Sequence, residues 1–178
     1  MNRNEFKRTQ PVSLQSLKVV APLLSIVYLT GCQHTFTQLE IDAPPTTVWE
    51  IVSETSSYGE WNPYHQSVAG QLEVGQTLEI EIHKPNGNQL TIHPHVIKLE
   101  PNRDLVWGGG ITGIFKGVHS FHIEPVADNK CQLIQEEWFH GLVVPFAELE
   151  SIEEGYNAVN LAIKKRAESR YANQQKEG

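Results

Sequence analysis

Eight histidines and the adjacent carboxylates Glu136 and Glu137 are the groups in this 178-residue chain best suited to acid–base or metal chemistry. His93 and His95 flank a proline, a spacing that puts both on one face of an extended strand. His83 could join them from a neighbouring strand, but zinc needs three or four ligands in satisfied geometry. No His, Cys, Asp or Glu spacing completes such a set, so no metal is expected. The glycine-rich stretch WGGGITG (107–113) lacks the Lys-Ser/Thr and the following helix of a phosphate loop. A bulge or corner in a bent sheet is its expected role, and no cofactor is expected. No nucleophile elbow of the G-x-S-x-G kind occurs. Cys131 sits beside Leu133 and Ile134 and reads as a small packed hydrophobe. What remains for catalysis is a histidine with a glutamate, able to act as an acid–base pair if neighbouring strands bring them together.

The positioning elements follow from periodicity. Alternation marks strands at 66–72, 76–83, 89–99, 103–110, 113–124 and 131–140, with a first strand at 35–42. Turn signals separate them, PNGN (85–88) being the clearest hairpin. Short links between consecutive strands imply an antiparallel sheet. Leu78, Ile80 and Ile82 share one face, leaving Glu79, Glu81 and His83 outward. Leu90, Ile92 and Val96 point inward, which puts His93 and His95 outside. Phe115, His119, Phe121 and Ile123 share the inner face, and His122 the outer. Residues 131–140 can be phased either way, and each choice turns one glutamate inward.

Helical signals bracket this sheet. TTVWEIVSE (46–54) follows APP and presents Val48, Trp49, Ile51 and Val52, with Pro45 suited to a first turn. A second helical turn or loop through YGEWNPYH (58–65) closes at Asn62, because Pro63 disfavours helical geometry before it. Trp61 is expected to pack inward, with Tyr58, Tyr64 and His65 at the rim. Leu149, Ile152, Tyr156, Val159 and Ile163 recur at three and four residues and form the apolar face of a long last helix. Glu148, Glu150, Glu153 and Glu154 crowd its start and Lys164, Lys165, Arg166 and Arg170 its end, complementing the helix dipole.

The composition, 39% hydrophobic and 20% charged, is that of one globular domain. A net charge of −7 argues against nucleic acid, which needs a concentrated basic surface. The N-terminus departs from this average. Arg3, Lys7, Arg8 and Lys18 precede the apolar run VVAPLLSIVYLTG (19–31), a secretory-signal pattern too short to span a membrane. The run ends in LTGC (29–32), which resembles a bacterial lipobox, whose cysteine is acylated and becomes the first mature residue. Cys32 is thus the expected lipid attachment point. Gln33 is not the Asp associated with inner-membrane retention, so the resemblance implies the outer membrane of a Gram-negative envelope, facing the periplasm. Loss of residues 1–31 would leave 10 Lys+Arg against 20 Asp+Glu. Such a domain is repelled by anionic headgroups, so the acyl chains must hold it.

The order of elements, with the residues that punctuate them, resembles the START/Bet v 1-like (SRPBCC) superfamily, in its polyketide cyclase/dehydrase-type branch. The resemblance rests on IDAPPTTVWEIV (41–52), YGEWNPY (58–64), GQLEVGQTLEI (70–80), IKLEPNRDLVWGG (97–109), GVHSFHIEP (117–125) and EEWFHGL (136–142). It implies an α+β helix-grip fold: a curved antiparallel sheet of about seven strands around the C-terminal helix, with two short helices after the first strand. The family pattern E-x-F-x-G maps onto Glu137, Phe139 and Gly141 and turns Glu137 inward.

The expected organisation is a signal peptide at 1–31, an anchor and tether at 32–34, the domain at 35–173 and a polar tail at 174–178. The expected function is that of a lipid-anchored protein binding a hydrophobic small molecule or lipid between sheet and helix. Its expected cavity residues are Trp61, Trp107, Phe115, His119, Phe121, Glu137, Phe139, Tyr156 and Asn160. A cyclase/dehydrase-like enzyme using His119 and Glu137, and a chaperone-like interaction module, are the alternatives. The two-residue tether after Cys32 would keep the domain within about 10 Å of the bilayer.

Overall fold

The computed structural model describes residues 31–177, so the expected signal peptide lies, but for its last residue, outside the described residues. The first strand, β1 (Gly31–Ile41), begins four residues earlier than alternation suggested. Cys32 therefore belongs to the strand, paired with His140, and the expected tether at 32–34 is itself sheet. α1 (Pro45–Ser53) starts with proline at its first position, buries Thr47, Val48, Ile51 and Val52, and leaves Trp49 half-buried. A 3₁₀ turn at Thr55–Ser57 leads into the single turn α2 (Tyr58–Trp61). Asn62 closes it in extended geometry, as Pro63 requires.

Seven strands follow: β2 (His65–Ala69), β3 (Glu79–His83), β4 (Gln89–Ile92), β5 (His95–Glu100), β6 (Asp104–Ile111), β7 (Phe115–Ala127) and β8 (Lys130–Gly141). The single strand expected at 89–99 is two strands, making eight among the described residues. Pro94 separates them because it has no N–H to give a ladder, yet its carbonyl accepts from the Leu78 amide at 2.8 Å. β4 consequently pairs with β3 and β5 with β6. The strands form a five-stranded sheet, β1-β8-β7-β6-β5, and a three-stranded sheet, β2-β3-β4, antiparallel throughout. The Thr77–His95 bridge links them into one curved surface.

α3 (Ile152–Glu177) is 26 residues long and runs through the polar tail expected at 174. Ile152, Tyr156, Val159, Asn160, Ile163 and Ala167 form its buried stripe. Leu149 is buried in the turn before the helix rather than in it. Because the helix is longer than expected, Lys164, Arg166 and Arg170 lie mid-helix and do not serve its dipole. Arg170 instead reaches Glu50 and Glu54 of the α1 region at 3.4 and 3.5 Å, Arg166 reaches Glu60 of α2, and Lys164 pairs with Glu168. Among the described residues, no helix is long and apolar enough to cross a membrane.

The core lies where α1 and α3 cover the sheet, around Ile41, Ile51, Leu105, Phe121, Ile123, Leu133 and Ile163. Apolar burial holds this interface, and the exposed ion pairs across it contribute little. Urea unfolding should therefore show a loss of about 2–5 kcal/mol for Ile163→Ala and under about 1 kcal/mol for Arg170→Ala. Equal losses would contradict this division.

Candidate functional site

The strand registers place side chains in rows across the concave face. One row runs Leu105–Phe121–Gln135–Thr37, the next Trp107–His119–Glu137–Thr35, and the next Gly109–Gly117–Phe139–Gln33. The first two rows carry bulky side chains. In the third, two adjacent positions are glycine, so neither puts a side chain of its own into the gap they border, although a Cβ on Gly117 would meet Glu137 Oε1 at 2.9 Å and one on Gly109 the Pro94 Cα at 3.2 Å. That gap, bounded by β4, the β6–β7 hairpin and the segment before α3, is a cavity of about 710 Å³. Apolar side chains including Leu90, Ile92, Trp107, Phe115, Phe139 and Ile152 line it, with Tyr64, Lys84, Glu137 and Glu148 among its polar members. A volume of this order suits a small-molecule ligand.

Glu137 faces the cavity, as the expected phase required, and Glu136 faces outward toward His34 at 2.9 Å. The Tyr156 hydroxyl of α3 donates to Glu137 Oε2. Desolvation raises the Glu137 carboxyl to about 7, against the smaller opposing effects of the Tyr156 hydrogen bond and the Lys84 charge. Near neutrality it is thus divided between carboxylic acid and carboxylate. Gly117 makes room for it: a Cβ there would stand 2.9 Å from Glu137 Oε1. Lys84 bonds both the carbonyl and the carboxylate of Glu148, each at 2.6 Å, and ties β3 to the segment before α3.

Of the expected cavity residues, Trp107, Phe115, Glu137 and Phe139 line this space. His119, Phe121, Tyr156 and Asn160 are fully buried behind it, Tyr156 reaching it through its bond to Glu137. Trp61 is not on the wall. It packs half-buried against Tyr58, 5.0 Å between ring centroids, and its indole N–H donates to Ser57. The aromatic of YGEWNPYH that does line the cavity is Tyr64, and Tyr58, Tyr64 and His65 are all buried rather than at the rim. Tyr64 lies on α3 where Gly155 leaves space, since a Cβ on Gly155 would come within 2.3 Å of its ring. The signal for this was available as a tyrosine following Asn62-Pro63 and a glycine inside an otherwise regular helix.

His119 and Glu137 are register partners but not an acid–base pair. The His119 ring stacks on Trp107 at 4.8 Å, and its Nε2 lies 2.9 Å from the Gln135 amide. Burial, with a further contribution from His65, holds its pKa well below the usual range, and burial lowers His65 to about 3. Both imidazoles are neutral at physiological pH. The hydrogen-bond partner of Glu137 is Tyr156, not His119. His93 and His95 are exposed, at 3.3 Å from Glu79 and 2.8 Å from Thr77, and His83 meets Glu81.

Because folding raises the Glu137 pKa from 4.5 to about 7, the folded state favours its protonated form. Its contribution to stability is full below pH 4.5 and is lost as pH rises through about 7. Glu137→Gln, which stays neutral, should flatten this part of the melting-temperature profile. Parallel profiles for parent and variant would place the carboxyl elsewhere than in a desolvated wall.

A family model for polyketide cyclases/dehydrases and lipid transport matches residues 33–168. The Zhui aromatase/cyclase from a Streptomyces species has a similar structure, with a TM-score of 0.65 at 18% identity over 79% of this chain and 96% of that one. A norcoclaurine synthase point mutant from Thalictrum flavum gives 0.60 at 16% identity, over 79% and 97%. A START superfamily protein from Mycobacterium smegmatis gives 0.57 at 17%, over 79% and 98%. At these identities the likeness is one of fold, and it is the helix-grip fold described above. No curated protein matches the chain by sequence. With the family model covering β1 through most of α3, the chain belongs to the polyketide cyclase/dehydrase and lipid-transport family.

Proposed function

We propose that the protein binds a hydrophobic small molecule or lipid and is held at a membrane by acyl chains on Cys32. The observation that carries the binding reading is the cavity of about 710 Å³, apolar over most of its wall, with the Glu137–Tyr156 pair set into it. Burial of apolar ligand surface supplies affinity, roughly 25 cal/mol per Å². Glu137 orients the ligand's polar end. As an acid it donates to a carbonyl or hydroxyl, and as a carboxylate it accepts from a hydroxyl or an amine. The family generally binds hydrophobic small molecules, which agrees with this. The anchor reading rests on LTGC (29–32) and on the exposed position of Cys32 at the start of β1. It puts the protein in a bacterial envelope, on the periplasmic face of the outer membrane if the cell is Gram-negative.

One observation favours an enzyme as the second reading. A carboxyl near 7 that accepts a buried tyrosine hydroxyl is suited to moving a proton at neutral pH. In that reading Glu137, not His119, is the base.

Native mass spectrometry of gently purified protein should show one bound apolar molecule. Gly117→Val, which fills the cavity floor, should weaken its binding about ten-fold or more, and Glu137→Gln should do so by roughly 1–3 kcal/mol if the ligand's polar end meets the carboxyl. An empty cavity with a co-purifying protein would favour an interaction module. Retained affinity with abolished turnover in Glu137→Gln would favour the enzyme. For the anchor, the mature protein should carry the mass of acyl chains at its N-terminus, and Cys32→Ser should lack it.

A further inference from the structure

Two segments meet at one end of the sheet and carry no charged side chain. ITGI (111–114) is the tip of the β6–β7 hairpin, and LVVPF (142–146) follows β8. They are tied together by the Leu142 amide donating to the Gly113 carbonyl and the Val143 amide to that of Ile114, both at 3.1 Å. Ile111, Ile114, Leu142, Val143 and Phe146 are all exposed there, Phe146 at 85%. The chain enters the fold at the same place. Gly31 pairs with Gly141, and a Cβ on Gly31 would stand 2.5 Å from the Pro145 ring, so β1 starts against this collar. Cys32 is exposed beside it. The cavity borders the same collar through Gly110, Phe115 and Ala147, which adjoin Ile111, Ile114 and Phe146 in sequence.

The opposite end has the reverse character. The β7–β8 turn, ADNK (127–130), is charged, with Lys130 paired to Glu40 and Asp42. Along β8 it stands about 36 Å from Gly141 at roughly 3.3 Å per residue.

We infer that the collar of Ile111, Ile114, Leu142, Val143 and Phe146 is a bilayer-docking face that seats the cavity mouth on the membrane holding Cys32. The occupant is phospholipid. Exposed apolar groups of this extent mark an interaction surface, and an uncharged collar enters the headgroup–acyl boundary with no charge to desolvate. The position of Cys32 fixes which surface the acyl chains pull down, and it is this one. A ligand then passes from acyl region to cavity without entering bulk water. This orientation rests on the acylated Cys32 proposed above. The residues involved are distinct from the Glu137–Tyr156 pair.

Nitroxide side chains at Phe146→Cys, Ile114→Cys and, as the distant control, Asp128→Cys would report the orientation. Cys131 is buried, and in the acylated protein proposed above Cys32 offers no thiol to the label. The mature protein is reconstituted in phosphatidylethanolamine–phosphatidylglycerol vesicles, and relaxation by oxygen is compared with relaxation by a water-soluble nickel chelate. The ratio should be about ten-fold higher at 146 and 114 than at 128 if the labels sit in the acyl boundary. Equal ratios at the three positions overturn the docking face. So does shielding of 146 and 114 from both reagents, the signature of a second copy of this chain on the collar. If the protein carries no acyl mass, the anchor reading fails separately. The same labels are then read on Cys32→Ser protein mixed with the vesicles, where a raised ratio at 146 upholds the face and an aqueous one overturns it.

Discussion

The hydrogen bond from Tyr156 to Glu137 joins α3 to the cavity wall, and the rest of the site is arranged around it. Tyr156 is buried in the same stripe as Ile152, Val159 and Ile163, so packing fixes its position before any polar contact is made. Glu137 sits at the boundary between two rows of side chains, one filled and one empty. Toward Phe121 and Gln135 the concave face is closed by α3. Toward Gly109 and Gly117 these two positions give only backbone to the cavity wall, beside Glu137, Phe139 and Pro94. The carboxyl at this boundary loses most of its hydration yet keeps one donor. That is why its proton affinity rises instead of the group being expelled.

Behind the wall both sheets and α3 hold polar groups that do not reach the ligand space. His65, His119, Gln135 and Asn160 are buried, and His65 Nδ1, His119 Nδ1, Gln135 Oε1 and Asn160 Oδ1 lack protein partners. Buried polar groups without partners cost stability, and internal water is the usual means of satisfying them. Low dielectric keeps both histidines neutral. They act as flat, polarisable packing against Trp107, Phe121 and Tyr156, not as ions. A histidine on an inward strand position therefore signals a buried polar core here, whereas the adjacent carboxylate signals the cavity.

Much of this was readable from residue order. Alternation gave the correct face for Glu79, Glu81, Ile80 and Ile82, and for His119 against His122, because a strand's two faces differ by one residue. The choice between Glu136 and Glu137 was not readable from alternation alone, since both phases carry apolar neighbours. The likeness of EEWFHGL to the family pattern decided it, and the register with Tyr156's helix explains it. Pro94 was visible, but that it divides two sheets depends on which neighbours each half finds. Trp61 and Tyr64 exchanged roles for a related reason. Asn62 accepts from the Tyr64 and His65 amides at 3.0 and 2.8 Å, which swings both side chains inward and leaves Trp61 on the α2 side.

The sequence by itself determined the element order apart from the division at Pro94, the apolar stripe of α3, the family and the identity of the inward carboxylate. Each depends on near-neighbour spacing or on a short pattern that survives without three-dimensional context. Tertiary structure alone decided which inward residues border open space and which are sealed behind it. That outcome depends on two glycines from different strands, Gly109 and Gly117, falling opposite each other. It also decided that Cys32, Phe146 and the 111–114 tip share one end of the sheet. These positions are far apart along the chain, and only strand register brings them together.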